Sequence, residues 1–270
     1  MLFPTTFLNS GEGNDADAQA FIDAAGITGE TQQNAINQLV LDLKGTGSTT
    51  NNTDVWSKCY AVYPMPPVDE STISLSSIKW NLKDARDLDE AFRLTFSNAP
   101  TADLSLGLNS NATPDSYAET HFIESSHMTA GNNGATTFIT RFNSSVLGYF
   151  SGGSIDFCAR ITFNNFIQYS GNQLIFKGSF PAVGDIYTSS RRSATDFEAY
   201  TNGVSYGTET TSTITQTSDG YKLLCRVSGG SPVQFQDGAI GFYALHDGLT
   251  DNEVVDIYDA ITAYNTTLGR

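Results

Sequence analysis

Two hydrophobic periods divide the chain. In the first fifty residues apolar positions recur at helical spacing. Ala18, Phe21, Ile22 and Ala25 fall at i, i+3, i+4 and i+7 and make one stripe. Asp15 and Asp17 stand where a helix dipole favours anions, and Gly26 offers a left-handed stop. Thr28 is a candidate N-cap for a second helix, in which Ile36, Leu39, Val40 and Leu43 repeat the spacing before Gly45 ends it. Each helix has a single apolar face, so both must pack on something else. Residues 45–52 form a polar joint.

Beyond residue 55 the period changes to two. Stretches 57–63, 91–96, 137–142, 155–163, 196–201, 221–227 and 239–245 alternate or run apolar, with Phe, Tyr, Ile and Val prominent. Turn signals separate them, among them Asn202-Gly203, Asp219-Gly220 and Ser228-Gly229-Gly230. Many short strands with no long helix between them predict two stacked antiparallel sheets. The chain closes with a helix over 250–266, opened by the capping box Thr250-Asp251-Asn252-Glu253 and striped by Val254, Ile257, Tyr258 and Ile261.

Composition agrees with a β protein rich in polar turns. Charged residues are only 16% of the 270, and 31 Thr, 27 Ser and 19 Asn take their place. The net charge is −15, from 29 acidic and 14 basic residues. No Lys/Arg cluster exists for a phosphate backbone or an anionic membrane surface, so neither nucleic acid nor membrane is an expected partner. No apolar run approaches the ~20 residues that span a bilayer.

Residues 1–13 read as an arm. Leu2, Phe3, Phe7 and Leu8 give it an apolar strip with no charge and no basic flank of the kind a signal peptide carries. Too short to form a core, it is expected to tether the protein to a neighbouring subunit or a larger body. Cys59, Cys158 and Cys225 are widely spaced and odd in number. That is neither a disulfide framework nor a zinc site, and buried thiols formed in a reducing cytoplasm are expected.

Candidate chemistry is sparse. His121 and His127 flank Glu124, but six residues of extended strand would hold the imidazoles roughly 20 Å apart, so metal ligation would need a chain reversal. His246 precedes Asp247-Gly248 and reads as a turn residue; no Gly-x-Ser-x-Gly elbow occurs to supply a nucleophile. No strand carries alternate carboxylates for a glycosidase pair. Asp84, Asp87, Asp89 and Glu90 cluster around Arg86 and read as a salt-bridged turn. Asn14, Asp15 and Asp17 read as caps rather than Ca²⁺ ligands. Tyr187, Tyr200 and Tyr206 are candidates for stacking on sugar rings, although strand pairs use tyrosine equally well. No catalytic, cofactor or metal residue is assigned.

Three stretches resemble a family of bacteriophage virion proteins found in phages of Bacteroidetes hosts and in crAss-like phages. The first is Phe21-Ile22-Asp23-Ala24-Ala25-Gly26-Ile27-Thr28 with Thr31-Gln32-Gln33-Asn34-Ala35-Ile36-Asn37. The second is Val55-Trp56-Ser57-Lys58-Cys59-Tyr60-Ala61-Val62-Tyr63-Pro64 with Trp80-Asn81-Leu82-Lys83-Asp84-Ala85-Arg86-Asp87-Leu88-Asp89. The third is Asp247-Gly248-Leu249-Thr250-Asp251-Asn252-Glu253 with Tyr264-Asn265-Thr266-Thr267-Leu268-Gly269-Arg270. The middle, with Asn202-Gly203 and Ser218-Asp219-Gly220-Tyr221, is similar to concanavalin A-like and laminin-G-like sandwiches.

The expected organisation is therefore an arm (1–13), a helical pair (14–50) and a mainly β, antiparallel jelly-roll sandwich with its C-terminal helix (51–270). The resemblance implies a non-enzymatic structural component of the virion: a fibre, appendage or surface decoration made in the host cytoplasm. It also implies contact with other virion proteins and a homo-oligomer, guessed as a trimer, that meets host glycans. Alternatives are a polysaccharide depolymerase on the same sandwich and a lectin-like binding module.

Overall fold

In the computed structural model the described residues are 13–110, 115–142, 148–152, 159–162, 165–170, 173–177, 182–210, 216, 218–228, 230–233 and 235–270. Residues 1–12 of the arm, Cys158 and parts of the 155–163 stretch lie outside them. No helix among these residues is long and apolar enough to cross a membrane.

The predicted helices form where their stripes place them. Ala16–Ala25 is capped by Asp15, whose side chain accepts from the Asp17 amide, and is closed by Gly26 in the left-handed region. The second helix, Glu30–Leu43, starts one residue later than Thr28 implied, with Gly29 as a cap that makes no side-chain bond. The reason is local: the Thr28 and Gly29 amides both donate to the Val68 carbonyl, which satisfies donors that a Thr cap would serve. Thr250 and Glu253 form the predicted reciprocal box at the start of Asp251–Thr267.

The β portion is antiparallel throughout the described residues. An eight-stranded sheet is centred on Asn133–Phe142 and Gly238–His246, which pair along most of their lengths. A seven-stranded sheet includes Thr95–Ser97, Tyr117–Ile123 and Gly220–Leu223. One buried cluster joins residues of both sheets: Tyr63, Ile139, Tyr243 and Leu245 from the larger, Ala118, Phe122, Tyr221 and Leu223 from the smaller. A second buries the helical stripes, with Phe21, Ile36, Leu39, Val254 and Ile257 packed on Val62, Phe138, Phe242 and Ala244. The larger sheet is thus sandwiched between helices and the second sheet, and all of Gly238–His246 is buried. Each large apolar side chain removed from water at these contacts contributes about 1.5–3 kcal/mol.

Two loops are pinned by carboxylates. Buried Asp256 accepts from the Asn51 and Thr53 amides, each at 2.7 Å, and ties the 45–52 joint to the C-terminal helix. Around Arg86, three of the four carboxylates are paired as the mixed charges suggested: Arg86 with Asp84, Lys79 and Arg93 with Asp87, and Arg93 with Asp89. The 91–96 stretch is not one strand. A single 3₁₀ turn, Asp89–Ala91, ends in Phe92 with φ 58, and only Thr95–Ser97 is extended.

Candidate functional site

The strand Tyr117–Ile123 departs from regular pairing at one point. Ile123 faces Gly220 and Glu119 faces Lys222, so three residues on one strand lie opposite a single residue on its partner. Such a bulge re-aims side chains. Thr120 and Phe122 stay buried, and the Thr120 hydroxyl donates to the Tyr221 carbonyl at 2.8 Å. His121, between them, takes φ 59 and turns outward. Its Nε2 lies 2.9 Å from the Thr95 hydroxyl and 3.5 Å from Asp89.

The one-turn helix Glu124–His127 then reverses the chain. His127 comes back over the strand end, with Nδ1 2.7 Å from the Ile123 carbonyl. Its ring sits 4.8 Å from Phe92 and 5.0 Å from Phe122. The reversal that metal ligation required is present, and both histidines line one pocket of about 460 Å³. Among the described residues, however, no group of three His, Cys, Asp or Glu side chains is placed to hold a metal ion.

The pocket wall is completed by Asp89, Glu90, Glu119 and Lys222 around Phe92 and Gly220. Glu119 and Lys222 form an ion pair. A Cβ at Gly220 would lie 2.7 Å from the Glu119 Oε1, so the glycine keeps this wall open. Asp89 receives the Arg93 guanidinium at 3.0 Å. Burial pushes the His121 pKa below its usual value, against the pull of Asp89. Lys222 is also depressed by burial. Phe92 and His121 are both non-glycine residues held at positive φ, a conformation that costs about 1–3 kcal/mol and concentrates at functional sites.

His121 is not placed as the central group of a proton relay. A relay would place a carboxylate on His121 Nδ1 and a hydroxyl on Nε2. Here both Asp89 and Thr95 face the same nitrogen.

The other sequence candidates lie elsewhere. Tyr187 and Tyr200 are each 1% exposed, which corrects their reading as sugar-stacking surfaces. The larger sheet is covered on both faces, so Tyr187 packs toward the second sheet and Tyr200 toward the helices. Their hydroxyls donate to Asp185 and Asp251, both at 2.7 Å. Tyr206 is half-buried against Phe197 and Ala199. His246 is no turn residue: it is a fully buried strand-end histidine with Nε2 3.0 Å from the Thr136 hydroxyl. Cys59 and Cys225 are buried and free. The tether residues Leu2, Phe3, Phe7 and Leu8 lie outside the described residues. Phe92, Thr95 and Lys222 were not singled out from the sequence; the Asn202-Gly203 kind of turn signal has no counterpart for a bulge inside a strand.

Fold and pocket together define a mainly β protein of antiparallel sheets with a polar, aromatic-floored cleft beside a sheet edge. No family model matches the chain, and no curated protein does. Solved structures do match in shape. A mutant of Trypanosoma rangeli sialidase displaying trans-sialidase activity aligns with TM-score 0.54 at 11% identity, over 86% of this chain and 38% of that one. Domain 4 of AbnA, an extracellular arabinanase from Geobacillus stearothermophilus in complex with arabinotriose, aligns with TM-score 0.46 at 12% identity, over 74% and 98%. The Ruminococcus gnavus sialidase module bound to sialyllactose gives TM-score 0.39 at 12% identity, over 47% and 82%. At such identities the likeness concerns the fold alone.

Proposed function

We propose that the chain is a non-enzymatic structural component of a phage virion, a fibre, appendage or surface decoration. In this reading its β portion is a jelly-roll sandwich that contacts host glycans through the His121–His127 pocket. The observation that carries glycan contact is the pocket itself: strained Phe92 and His121 set an aromatic floor among hydrogen-bonding side chains, the mixture that binds polyhydroxylated ligands. The virion assignment rests on the three sequence stretches quoted above. The sialidase aligned at TM-score 0.54 supports only the fold that this reading requires.

Labelling purified virions with an antibody against the chain tests the structural role, and binding of the purified protein to arrayed glycans tests the contact. Label absent from every virion surface would refute the first. The arm gives a second test, because deletion of residues 1–13 is expected to block incorporation and reduce the oligomer, guessed as a trimer.

A depolymerase is the second reading, favoured by one observation: Asp89, Glu90 and Glu119 share the cleft with both histidines. Turnover of host capsular polysaccharide, abolished by Glu119→Gln, would establish it in place of the first.

A further inference from the structure

The polar atoms around the pocket are unequally divided between donors and acceptors. Among the described residues Lys222 is the one ammonium in the wall, and its charge is engaged by Glu119 while its side chain is 8% exposed. The neighbouring guanidinium, Arg93, is spent on Asp87 and Asp89. Among the described residues no cation in the lining is left for an anionic ligand.

Acceptors are plentiful. Glu90 is exposed and makes no hydrogen bond or ion pair among the described residues. Glu119 Oε1 points toward the space that Gly220 leaves open. His127 Nδ1 meets the Ile123 carbonyl at 2.7 Å and the Ile123 amide at 3.3 Å, so the strand end occupies this ring nitrogen. His127 is itself exposed and lines the pocket. Burial of His121 holds its imidazole uncharged at neutral pH, so it adds no positive charge. The chain as a whole carries −15.

We infer that this pocket takes a sugar terminus rich in hydroxyl or ammonium donors and free of acidic groups: a neutral hexose or an amino sugar, not a sialic or uronic acid. The inference rests on the glycan-contact reading and gives it a substrate class. Carboxylates accept from vicinal hydroxyls and from an ammonium group. A sugar carboxylate entering the same space would meet Glu90 and Asp89 with like charge and find no partner of opposite sign. Phe92 supplies the apolar surface on which the C–H face of a pyranose ring packs. Glu90 sets the charge preference; Glu119, paired with Lys222, accepts hydrogen bonds, and His127 contributes contact.

The test is calorimetric titration of the full chain with lactose, a glucosamine disaccharide, sialyllactose and digalacturonic acid, in low and physiological salt. The wild type is expected to bind lactose or the glucosamine disaccharide at least tenfold more tightly than either acidic sugar. Glu90→Lys, on an exposed side chain, is expected to leave the fold intact by circular dichroism. It should weaken the amino sugar at least threefold and strengthen sialyllactose. His127→Ala should weaken every bound sugar at least fivefold. Tighter binding of the acidic sugars by the wild type would overturn this inference and leave glycan contact standing. Binding untouched by both Glu90→Lys and His127→Ala would place the ligand on another face and overturn it equally. Binding of no sugar, here or on a glycan array, would refute the glycan-contact reading beneath it.

Discussion

The imidazole of His246 occupies the space that a side chain at Gly134 would need. A Cβ built on Gly134 would lie 2.3 Å from His246 Cε1 and 2.7 Å from the Ser189 carbonyl oxygen. The two residues are directly paired across the central strands Asn133–Phe142 and Gly238–His246. The histidine ring therefore fills one layer of the sheet where its partner has no side chain. Gly134→Ala must displace either a buried ring or backbone, and overpacking of this kind costs about 1–3 kcal/mol. Urea unfolding is expected to show a lower midpoint with an unchanged slope, and a midpoint equal to wild type would show that the ring is free to move.

The same histidine predicts a pH dependence. Complete burial pushes its pKa down to about 4. The unfolded chain would titrate near its usual value of about 6.5. Between these values the unfolded state binds the extra proton, so stability rises with pH through the window and is lost as pH falls from about 6.5 toward 4. The shift corresponds to roughly 3 kcal/mol at most. Lys58 and Glu253 act on the ring with opposite signs, Lys58 opposing its charge and Glu253 favouring it. The paired carboxylates Asp15 and Asp84 are held below the usual range and lose their contribution only at lower pH. His121 titrates in the same sense as His246 and adds to the slope. His246→Gln should flatten the stability profile between pH 4.5 and 6.5, values set by the same shift, as read by denaturant midpoints. An unaltered slope in that variant would assign the dependence to other groups.

What could be read in the sequence was whatever one element expresses by itself. The stripe Phe21, Ile22 and Ala25 is buried as its spacing requires, and Thr250 with Glu253 form the box their spacing describes. Asn202 and Gly203 both take positive φ, as a two-residue hairpin turn demands. The pocket depended on what neighbouring strands do to one another. The two extra residues between Glu119 and Ile123, set against Tyr221, are invisible to a period-two pattern. Without that bulge and the turn Glu124–His127, the separation expected for His121 and His127 on an extended strand was sound geometry applied to the wrong backbone. Tyr187 lies between the two sheets, and Tyr200 is hidden for a related reason. Alternation distinguishes a sheet's faces, but here helices cover the face that would otherwise meet water.

Asp256 should prove more important than its place in an acidic helix suggests. It is 1% exposed, and its carboxylate holds the Asn51 and Thr53 amides and the Thr53 hydroxyl at 2.6–2.7 Å. Asp256→Ala would remove the hydrogen bonds that hold exposed Asn51 and half-buried Thr53, at a cost of about 0.5–1.5 kcal/mol for each. Limited proteolysis is the sharper measurement. Cleavage within residues 45–54 is expected to appear in the variant and not in the wild type under native conditions.

Cys59 and Cys225 are predicted to be inert in the folded protein. Burial pushes both thiols up to about 12, so the reactive thiolate is scarce at neutral pH. With a chromogenic disulfide reagent followed by peptide mapping, both should stay unmodified until denaturant is added. Rapid labelling of either in native buffer would show that its strand opens.

His121 offers the clearest separation of strain from stability. At φ 59 a residue with a Cβ is held against its preference, and the ring's bond to Thr95 at 2.9 Å offsets part of that cost. His121→Gly removes the strain and the bond together, two terms of about 1 kcal/mol with opposite signs. The expected result is a folded protein within about 1 kcal/mol of wild type. His121→Val also removes the bond but adds a β-branched side chain at positive φ, so it should be less stable than the glycine variant by about 1 kcal/mol or more. Denaturant midpoints of the pair check the argument. If valine and glycine prove equally stable, the bulge relaxes when the imidazole is removed, and it is the His121–Thr95 bond rather than the surrounding strands that holds the backbone in its left-handed turn.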